Sequence, residues 1–325
     1  MTRNETTQSR LATAPFDDEA ADVVLRSSDG VDFRVYKVLL SLVSSFFRDM
    51  LALPHVGQRA SDAGDHADCG GRPIIDVEED ANGVEKLLRW CDPRCTPPTL
   101  ESWEDVQSTT QLSIKYDAPT IYRRVSECLR HSSFVHQYPI QVYVVAVRAN
   151  NIQLARAAAR EASCLGIATW AACSELAYIP ASEFQRLLRY HLARSARAVE
   201  IVEKWAKSGA WAPRFWIHNG HSSVGGVHLC RGEWWREYIQ KMRAHVEKYP
   251  KGSAVQEPGF LLVSSSHDNW WCPNCDGRAE AHTARFIIDL AKELDKELDK
   301  VSSDTRLENG YILTFSLTCI GRTEF

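Results

Sequence analysis

The 325-residue chain has no long apolar run, no excess of basic charge and few cysteines. A membrane-spanning helix needs about 20 consecutive apolar residues, so we expect no transmembrane segment and no membrane partner. The net charge of −4 argues against a nucleic-acid partner, because binding to phosphates requires a basic surface. Ten cysteines are too few for a secreted disulfide scaffold. Met1 to Arg10 lack the apolar segment of a secretory signal, so we expect a cytoplasmic or nuclear protein with reduced thiols.

The chain also lacks the motifs that carry common catalytic chemistry. It shows no glycine-rich phosphate loop, no Ser-His-Asp order and no pair of carboxylates on a defined scaffold. We therefore expect a protein that is not an enzyme. Apolar residues make up 44% of the chain and charged residues 25%, which is typical of folded domains. The length predicts about two or three such domains.

The pattern of the N-terminal part predicts a small domain of short strands and helices. Residues 22–26 and 31–35 predict two strands, and Asp29-Gly30 between them predicts a hairpin turn. Apolar residues at helical spacing follow over 37–51. Ser44 stands where a second helix can begin, because its hydroxyl can accept a hydrogen bond from an orphan amide. A third strand and three more helices are predicted at 73–77, 84–91, 106–116 and 121–129.

Residues 22–129 resemble the BTB/POZ domain in the order of these elements and in a motif at fixed spacing. The matching residues are Asp22, Phe33, Tyr36-Lys37, Leu39-Leu40, Ser44, Phe47 and Lys115-Tyr116-Asp117. Tyr36 departs from the family's usual histidine and leaves the spacing intact. The sequence from Ser45 to Met50, together with a tail that contains Trp and Cys, is similar to that of fungal BTB proteins in particular. The resemblance implies an α+β fold. In it, an N-terminal BTB/POZ domain of short strands and helices is followed by a mainly α-helical extension.

The resemblance also implies a non-enzymatic module that homodimerises and recruits partners. Asp22 and Lys37 match positions that line a charged pocket at the dimer interface of BTB proteins, with a plain surface ion pair as the alternative. Phe16 lies in an N-terminal arm that two copies could exchange. One implied partner is a cullin scaffold, which would make the chain a ubiquitin-ligase adaptor, and the alternative is a transcriptional or chromatin scaffold. Residues 51–77 contain no glutamate, so the hydrophobic-x-Glu signal usual in cullin adaptors is missing.

Composition and spacing divide the chain into four predicted segments. They are a flexible arm at 1–18, the BTB domain at 19–133, a helical spacer at 134–210 and a Trp-, Cys- and His-rich region at 211–325. The spacer is expected because its alanine-rich helical spacing favours closely packed helices. His191, on an apolar helix face of that spacer, is expected to be a core histidine rather than a ligand.

The last segment contains candidate metal ligands. His218-x-x-His221 and Cys272-x-x-Cys275 are two couples with the spacing found in tetrahedral zinc sites. One structural zinc bound by these four residues is our hypothesis, and unliganded reduced side chains are the alternative. His228 and Cys230 are a competing first half of such a site, in place of the two histidines, and His282 is a spare ligand. A thiol-disulfide redox site at Cys272 and Cys275 is a third class of function, but no proline follows Cys275 to supply the cis-proline of a thioredoxin-like fold.

Overall fold

A computed structural model of the chain describes residues 10–53, 71–207, 233–261 and 279–301. The chain divides into two compact units, which we call the first and the second unit. The first comprises Met1–Phe134 with Val145–Leu154, and the second comprises Val135–Val144 with Ala155–Phe325. Strands occur in the first unit, whereas the described part of the second contains helices and short 3₁₀ turns. No described helix is both long and apolar enough to cross a membrane.

A small sheet organises the first unit. Its four strands, in spatial order, are β1 (Arg10–Leu11), β3 (Val31–Val35), β2 (Val23–Arg26) and β4 (Ile74–Asp76). β2 and β3 are antiparallel, with Leu25 opposite Phe33. Gly30 closes the turn between them at φ 79°, a left-handed conformation that favours glycine. β1 and β4 pair in parallel with β3 and β2 respectively, so the predicted hairpin and third strand are confirmed and β1 is an addition.

The N-terminal segment is held against this sheet, which corrects the prediction of a flexible arm for residues 10–18. The Arg10 amide donates to the Gly30 carbonyl at 2.9 Å, and the Arg34 amide donates to the Phe16 carbonyl at 2.8 Å. The Phe16 side chain is only 2% exposed, and its ring contacts Phe33 with the centroids 5.9 Å apart. Burial of a phenylalanine contributes about 1.5–3 kcal/mol, which explains why the segment is ordered.

Five helices complete the described part of the BTB-like pattern, and each begins where the local sequence favours a helix. They are α1 (Lys37–Val43), α2 (Ser45–Ala52), α3 (Ala81–Cys91), α4 (Trp103–Lys115) and α5 (Pro119–Leu129). The Asp80 carboxylate accepts the Gly83 amide at 2.8 Å, and Ser102 with Asp105 forms a capping box at the start of α4. The core contains side chains from the sheet and all five helices, among them Leu25, Leu40, Phe47, Leu88, Val106 and Ile121.

The first unit also includes residues 145–154, which the sequence pattern assigns to the helical spacer. Three contacts join these residues to α5 and its C-terminal end. The side-chain amide of Asn151 donates to the Ser126 hydroxyl at 3.2 Å, and the side chain of Arg130 donates to that of Gln153. The Arg148 guanidinium lies 4.8 Å from the centre of the Tyr122 ring. Polar contacts of this kind leave no periodic signal in the sequence.

The rest of the described chain is helical, as the extension was expected to be. Its helices are α6 (Phe134–Gln137), α7 (Pro139–Arg148), α8 (Ile152–Ser163), α9 (Ile167–Trp170), α10 (Ala181–Lys207), α11 (Glu233–Lys248), α12 (Pro258–Leu261) and α13 (Ala279–Val301). α10, α11 and α13 share a core that includes Ile201, Val202, Met242, Val246, Leu290 and Leu294. Residues 311–320, for which the sequence also predicts a strand, lie outside the described residues.

A buried arginine ties α10 to its neighbours in the second unit. Arg194 is 3% exposed, and its guanidinium donates to the Leu298 carbonyl at 2.9 Å and to the Pro250 carbonyl at 3.2 Å. Leu298 lies in the last turn of α13, where carbonyls lack helical partners and the helix dipole is negative. The cation therefore occupies a site that favours positive charge.

Ser44 fixes the junction between α1 and α2. Its hydroxyl oxygen accepts the Phe47 amide at 3.1 Å, which caps α2, and the same hydroxyl donates to the Tyr116 carbonyl at the end of α4. The Tyr116 ring stacks on Phe47 with the centroids 4.9 Å apart and the planes 12° apart. The predicted start of a second helix at this serine is confirmed.

We expect Ser44→Ala to lower the free energy of unfolding of the first unit by about 2 kcal/mol. The change removes a helix cap, worth about 1 kcal/mol, and leaves a buried carbonyl without its donor, at a cost of about 1–3 kcal/mol. Pulse proteolysis of the full chain in urea measures the effect. The matched control is Ser41→Ala, within α1, for which we expect a change of about 0.5 kcal/mol or less. Equal losses in the two variants would contradict this role of Ser44.

Candidate functional site

The outward face of α1 carries exposed apolar side chains. Val38 is 60% exposed and Leu42 is 74% exposed, whereas Leu40 and Val43 of the same helix are buried in the core. Residues four apart lie on one face of a helix, so Val38 and Leu42 form a single apolar stripe, which we call the α1 face. Leu11, on the edge strand β1, is 44% exposed. An apolar stripe that the described residues leave uncovered is typical of a surface that contacts another protein.

The structure brings Asp22 and Lys37 together, through a carboxylate and a backbone amide. The Asp22 carboxylate accepts the amide of Lys37, the first residue of α1, at 2.7 Å. Within the described residues, the side chain of Tyr36, which precedes α1, makes no capping hydrogen bond. Asp22 therefore caps α1 from outside the helix. Its side chain is exposed and that of Lys37 is half-buried, so both charges remain accessible at the start of the α1 face.

Tyr36, the departure from the family motif, holds a polar network that the sequence analysis missed. Its hydroxyl donates to the Asp18 carboxylate at 2.6 Å, and the Arg94 guanidinium lies 5.2 Å from the centre of its ring. Arg94 in turn contacts Asp92 at 2.7 Å and Asp18 at 3.3 Å. The hydrogen bond from Tyr36 holds the pKa of Asp18 below its ordinary value. This network fixes the segment before α1 to the residues after α3, and the only signal for it was the tyrosine itself.

The Lys115-Tyr116-Asp117 motif has a structural role at the far side of the α1–α2 junction. The Lys115 ammonium contacts Glu79 at 2.6 Å, and the Tyr116 hydroxyl donates to the same carboxylate. Burial opposes ionisation of Glu79, but these hydrogen bonds hold its pKa below the ordinary value. Asp117 has a φ of 41°, and its carbonyl accepts the Ser45 amide at 3.1 Å. These contacts position α2, so the role that we assign to the motif is structural.

The sheet, the capped pair α1–α2 and the motif that joins them to α4 are the parts on which the resemblance depended. Residues 14–133 match the family model of the BTB/POZ domain. The match spans α1–α5 and confirms the α+β expectation for this part of the chain. BTB domains are protein-interaction modules, so the chain carries such a module over a little more than a third of its length. No curated protein matches the chain.

The three residues predicted for the dimer interface differ in their surroundings. Asp22 and Lys37 lie at the surface beside the α1 face, whereas Phe16 is buried in the core of its own chain. In a single chain Phe16 therefore offers no surface to a partner. It could contribute to a dimer only if residues 10–18 exchanged between copies and Phe16 filled the same core position in the other BTB domain.

The predicted zinc ligands His218, His221, Cys272 and Cys275 lie outside the described residues, as do His228 and Cys230. Within the described ranges, no group of three or more His, Cys, Asp or Glu side chains is arranged to hold a metal ion. The zinc site stays a prediction. The thiol-disulfide alternative involves Cys272 and Cys275 as well, so it also concerns residues outside the described ranges.

We expect elemental analysis of the purified chain to find close to one zinc per chain and Cys272→Ser to lose it, because a structural site needs all four ligands. Cys128→Ser, which changes an exposed cysteine of α5, is the matched control and should keep the metal. A metal-free wild-type chain, or equal zinc in both variants, would show that these thiols are unliganded.

Asp22→Ala should lower the free energy of unfolding of the BTB domain by about 1 kcal/mol, because the Lys37 amide loses its cap. Asp22→Asn keeps an oxygen at the same position and should lose much less. Pulse proteolysis of both variants in urea makes the comparison. If the two variants were equally destabilised, the charge of Asp22 rather than its capping oxygen would be the source of its effect.

Proposed function

We propose that the BTB domain of this chain self-associates through the α1 face and that the resulting dimer recruits other proteins. The observation that carries the proposal is the exposure of Val38 and Leu42 on a helix whose other face is firmly anchored. A twofold arrangement would place the same face of each copy against the other, which is the common geometry of homodimers. The α1 face is short and apolar, and in such a dimer it would pack against the same face of the other copy.

The energetics indicate that the α1 face needs additional contacts. Complete burial of a valine or leucine side chain contributes about 1.5–3 kcal/mol, and both residues are already partly covered. Association costs about 4–15 kcal/mol in lost freedom. The gain from Val38 and Leu42 on two copies is of similar size, so other groups have to contribute. Leu11, exposed on β1, is a candidate for this additional contact.

The charges beside the α1 face favour one relative orientation of the two copies. In an isologous interface, Asp22 of each copy can face Lys37 of the other, so two opposite-charge contacts form at once. Such pairs contribute little while they are exposed, about 0–1 kcal/mol, but they disfavour arrangements that bring like charges together. This supports the charged pocket as a determinant of register rather than of affinity.

A second candidate function is that of a ubiquitin-ligase adaptor. Phe46 on α2 is 47% exposed, and Leu53, which directly follows α2, is 59% exposed; neither residue belongs to α1. They offer apolar surface for a partner of another kind, such as a cullin. The missing glutamate at 51–77 counts against that partner, and a transcriptional or chromatin scaffold stays the alternative. Affinity capture followed by mass spectrometry separates the two, since cullin peptides support the first and chromatin proteins the second.

Light scattering on the full chain tests the self-association. One chain has a mass of 36.7 kDa. We expect the wild type at micromolar concentration to show twice that mass. Leu42→Asp should be monomeric, because pairing would bury an unpaired carboxylate in an apolar contact. Leu53→Asp makes the same change at the exposed leucine that follows α2 and should stay dimeric. A monomeric wild type, or a dimeric Leu42→Asp, would contradict the proposal.

A further inference from the structure

A groove in the second unit, far in sequence from the BTB domain, has the character of a ligand site. It has a volume of about 610 Å³ and lies among α9, α10 and the end of α11. Its lining comprises Ile167, Ala168, His191, Leu192, Ser195, Ala196, Val199, Glu247 and Lys248. The stretch of α10 from His191 to Val199 runs along it for about 12 Å, at about 1.5 Å per residue. Pockets for small molecules commonly have volumes of about 300–1,000 Å³.

Most of the lining is apolar, and much of it is uncovered. Leu192 is 52% exposed and Ile167 is 39% exposed, so both side chains are accessible to a ligand. Leu192, Ala196 and Val199 follow one another at helical spacing on the same face of α10. These side chains provide an apolar wall.

Two buried polar groups meet in this groove. His191 is 2% exposed and Ser195 is 4% exposed, and the Ser195 hydroxyl oxygen lies 3.4 Å from His191 Nε2. His191 Nδ1 lies 2.9 Å from the Ser163 carbonyl oxygen, which can only accept, so Nδ1 carries the proton. The Trp170 ring packs edge-on against the imidazole, with the centroids 5.3 Å apart. The histidine is thus held in one tautomer and one orientation, with the lone pair of Nε2 directed toward Ser195.

The polar pair can accept a hydrogen bond and has no proton left to donate. Burial lowers the pKa of His191, and the nearby Arg194 charge acts in the same direction, so the imidazole is neutral at neutral pH. The Ser195 hydroxyl has a single hydrogen, and in contact with Nε2 that hydrogen is donated to the imidazole. The two lone pairs of the Ser195 oxygen then remain, and these only accept.

The charges at the rim do not select an ion. Glu247 and Lys248 are adjacent and opposite in sign, so they nearly cancel for a ligand in the groove. An anion would face the lone pairs of the Ser195 oxygen, and a cation would lose its hydration against an apolar wall. Both are disfavoured relative to an uncharged molecule.

We propose that this groove binds a small uncharged molecule with an apolar body and one hydroxyl or N–H donor. The apolar body lies along Leu192, Ala196 and Val199, and the donor hydrogen-bonds to the Ser195 oxygen beside His191. This site is independent of the proposed self-association, since its residues all belong to the second unit.

The test compares two probes on the full chain, 4-propylphenol and its methyl ether, which differ by one hydrogen-bond donor. Titration by ligand-observed NMR should show the phenol binding about fivefold or more tightly than the ether, as expected for one neutral hydrogen bond. Leu192→Asp should weaken phenol binding at least tenfold, because it places a carboxylate on the apolar wall. Ile288→Asp, a matched change at an exposed isoleucine of α13 outside the groove, should bind the phenol like the wild type.

Three results would each overturn the proposal. The first is failure of the phenol to bind the wild-type chain. The second is equal affinity for the phenol and the ether, which would mean that the polar pair does not contact the ligand. The third is a Leu192→Asp variant that binds as tightly as the wild type, which would place the phenol elsewhere. Circular dichroism of each variant confirms that the helices are intact, since both substituted positions are exposed.

Discussion

The hydroxyl of Ser44 is the contact on which the position of the α1 face depends. It accepts the Phe47 amide, donates to the Tyr116 carbonyl and so holds the end of α1, the start of α2 and the end of α4 at one point. Because α1 is only seven residues long, it would be marginal as a helix by itself. Its outward face can present Val38 and Leu42 only because both of its ends are fixed, one by Ser44 and the other by the carboxylate of Asp22.

The helices of the second unit are also held in position, but by contacts of a different kind. Its long helices are held by an apolar core and by Arg194, whose guanidinium satisfies carbonyls at the end of α13 and at Pro250. A buried charge stabilised by a helix terminus is sensitive to position, so the arrangement fixes α10 relative to α13. The face of α10 that carries His191 and Ser195 is thereby held in place beside α9 and α11. Binding sites built on rigid helices are held more precisely than sites built on loops.

The sequence predicted those parts of the fold that rest on local patterns. The hairpin turn at Asp29-Gly30, the strand at 31–35 and the helix start at Ser44 each follow from a few neighbouring residues, and each is confirmed. His191 was expected in the core, and its 2% exposure confirms this. Local residue preferences and tertiary packing agree at these positions, which is why the prediction succeeded.

The features that the sequence did not predict depend on long-range contacts. A two-residue strand such as β1 has no periodicity, and the burial of Phe16 is decided by Phe33, which is distant in the chain. The Tyr36 network joins Asp18 to Arg94 across 76 positions. The exposure of Val38 and Leu42 was not predicted either, because the apolar spacing over 37–51 does not show which side chains the rest of the fold leaves uncovered.

Hydrogen–deuterium exchange of the full chain across a wide range of protein concentrations tests the central claim, self-association through α1, most directly. If the α1 face forms the contact, amides of Lys37–Val43 should exchange more slowly as the concentration rises and the mass doubles, while amides of α4 stay unchanged. If exchange in α1 were independent of concentration over the range in which the mass doubles, the chain would associate through another surface.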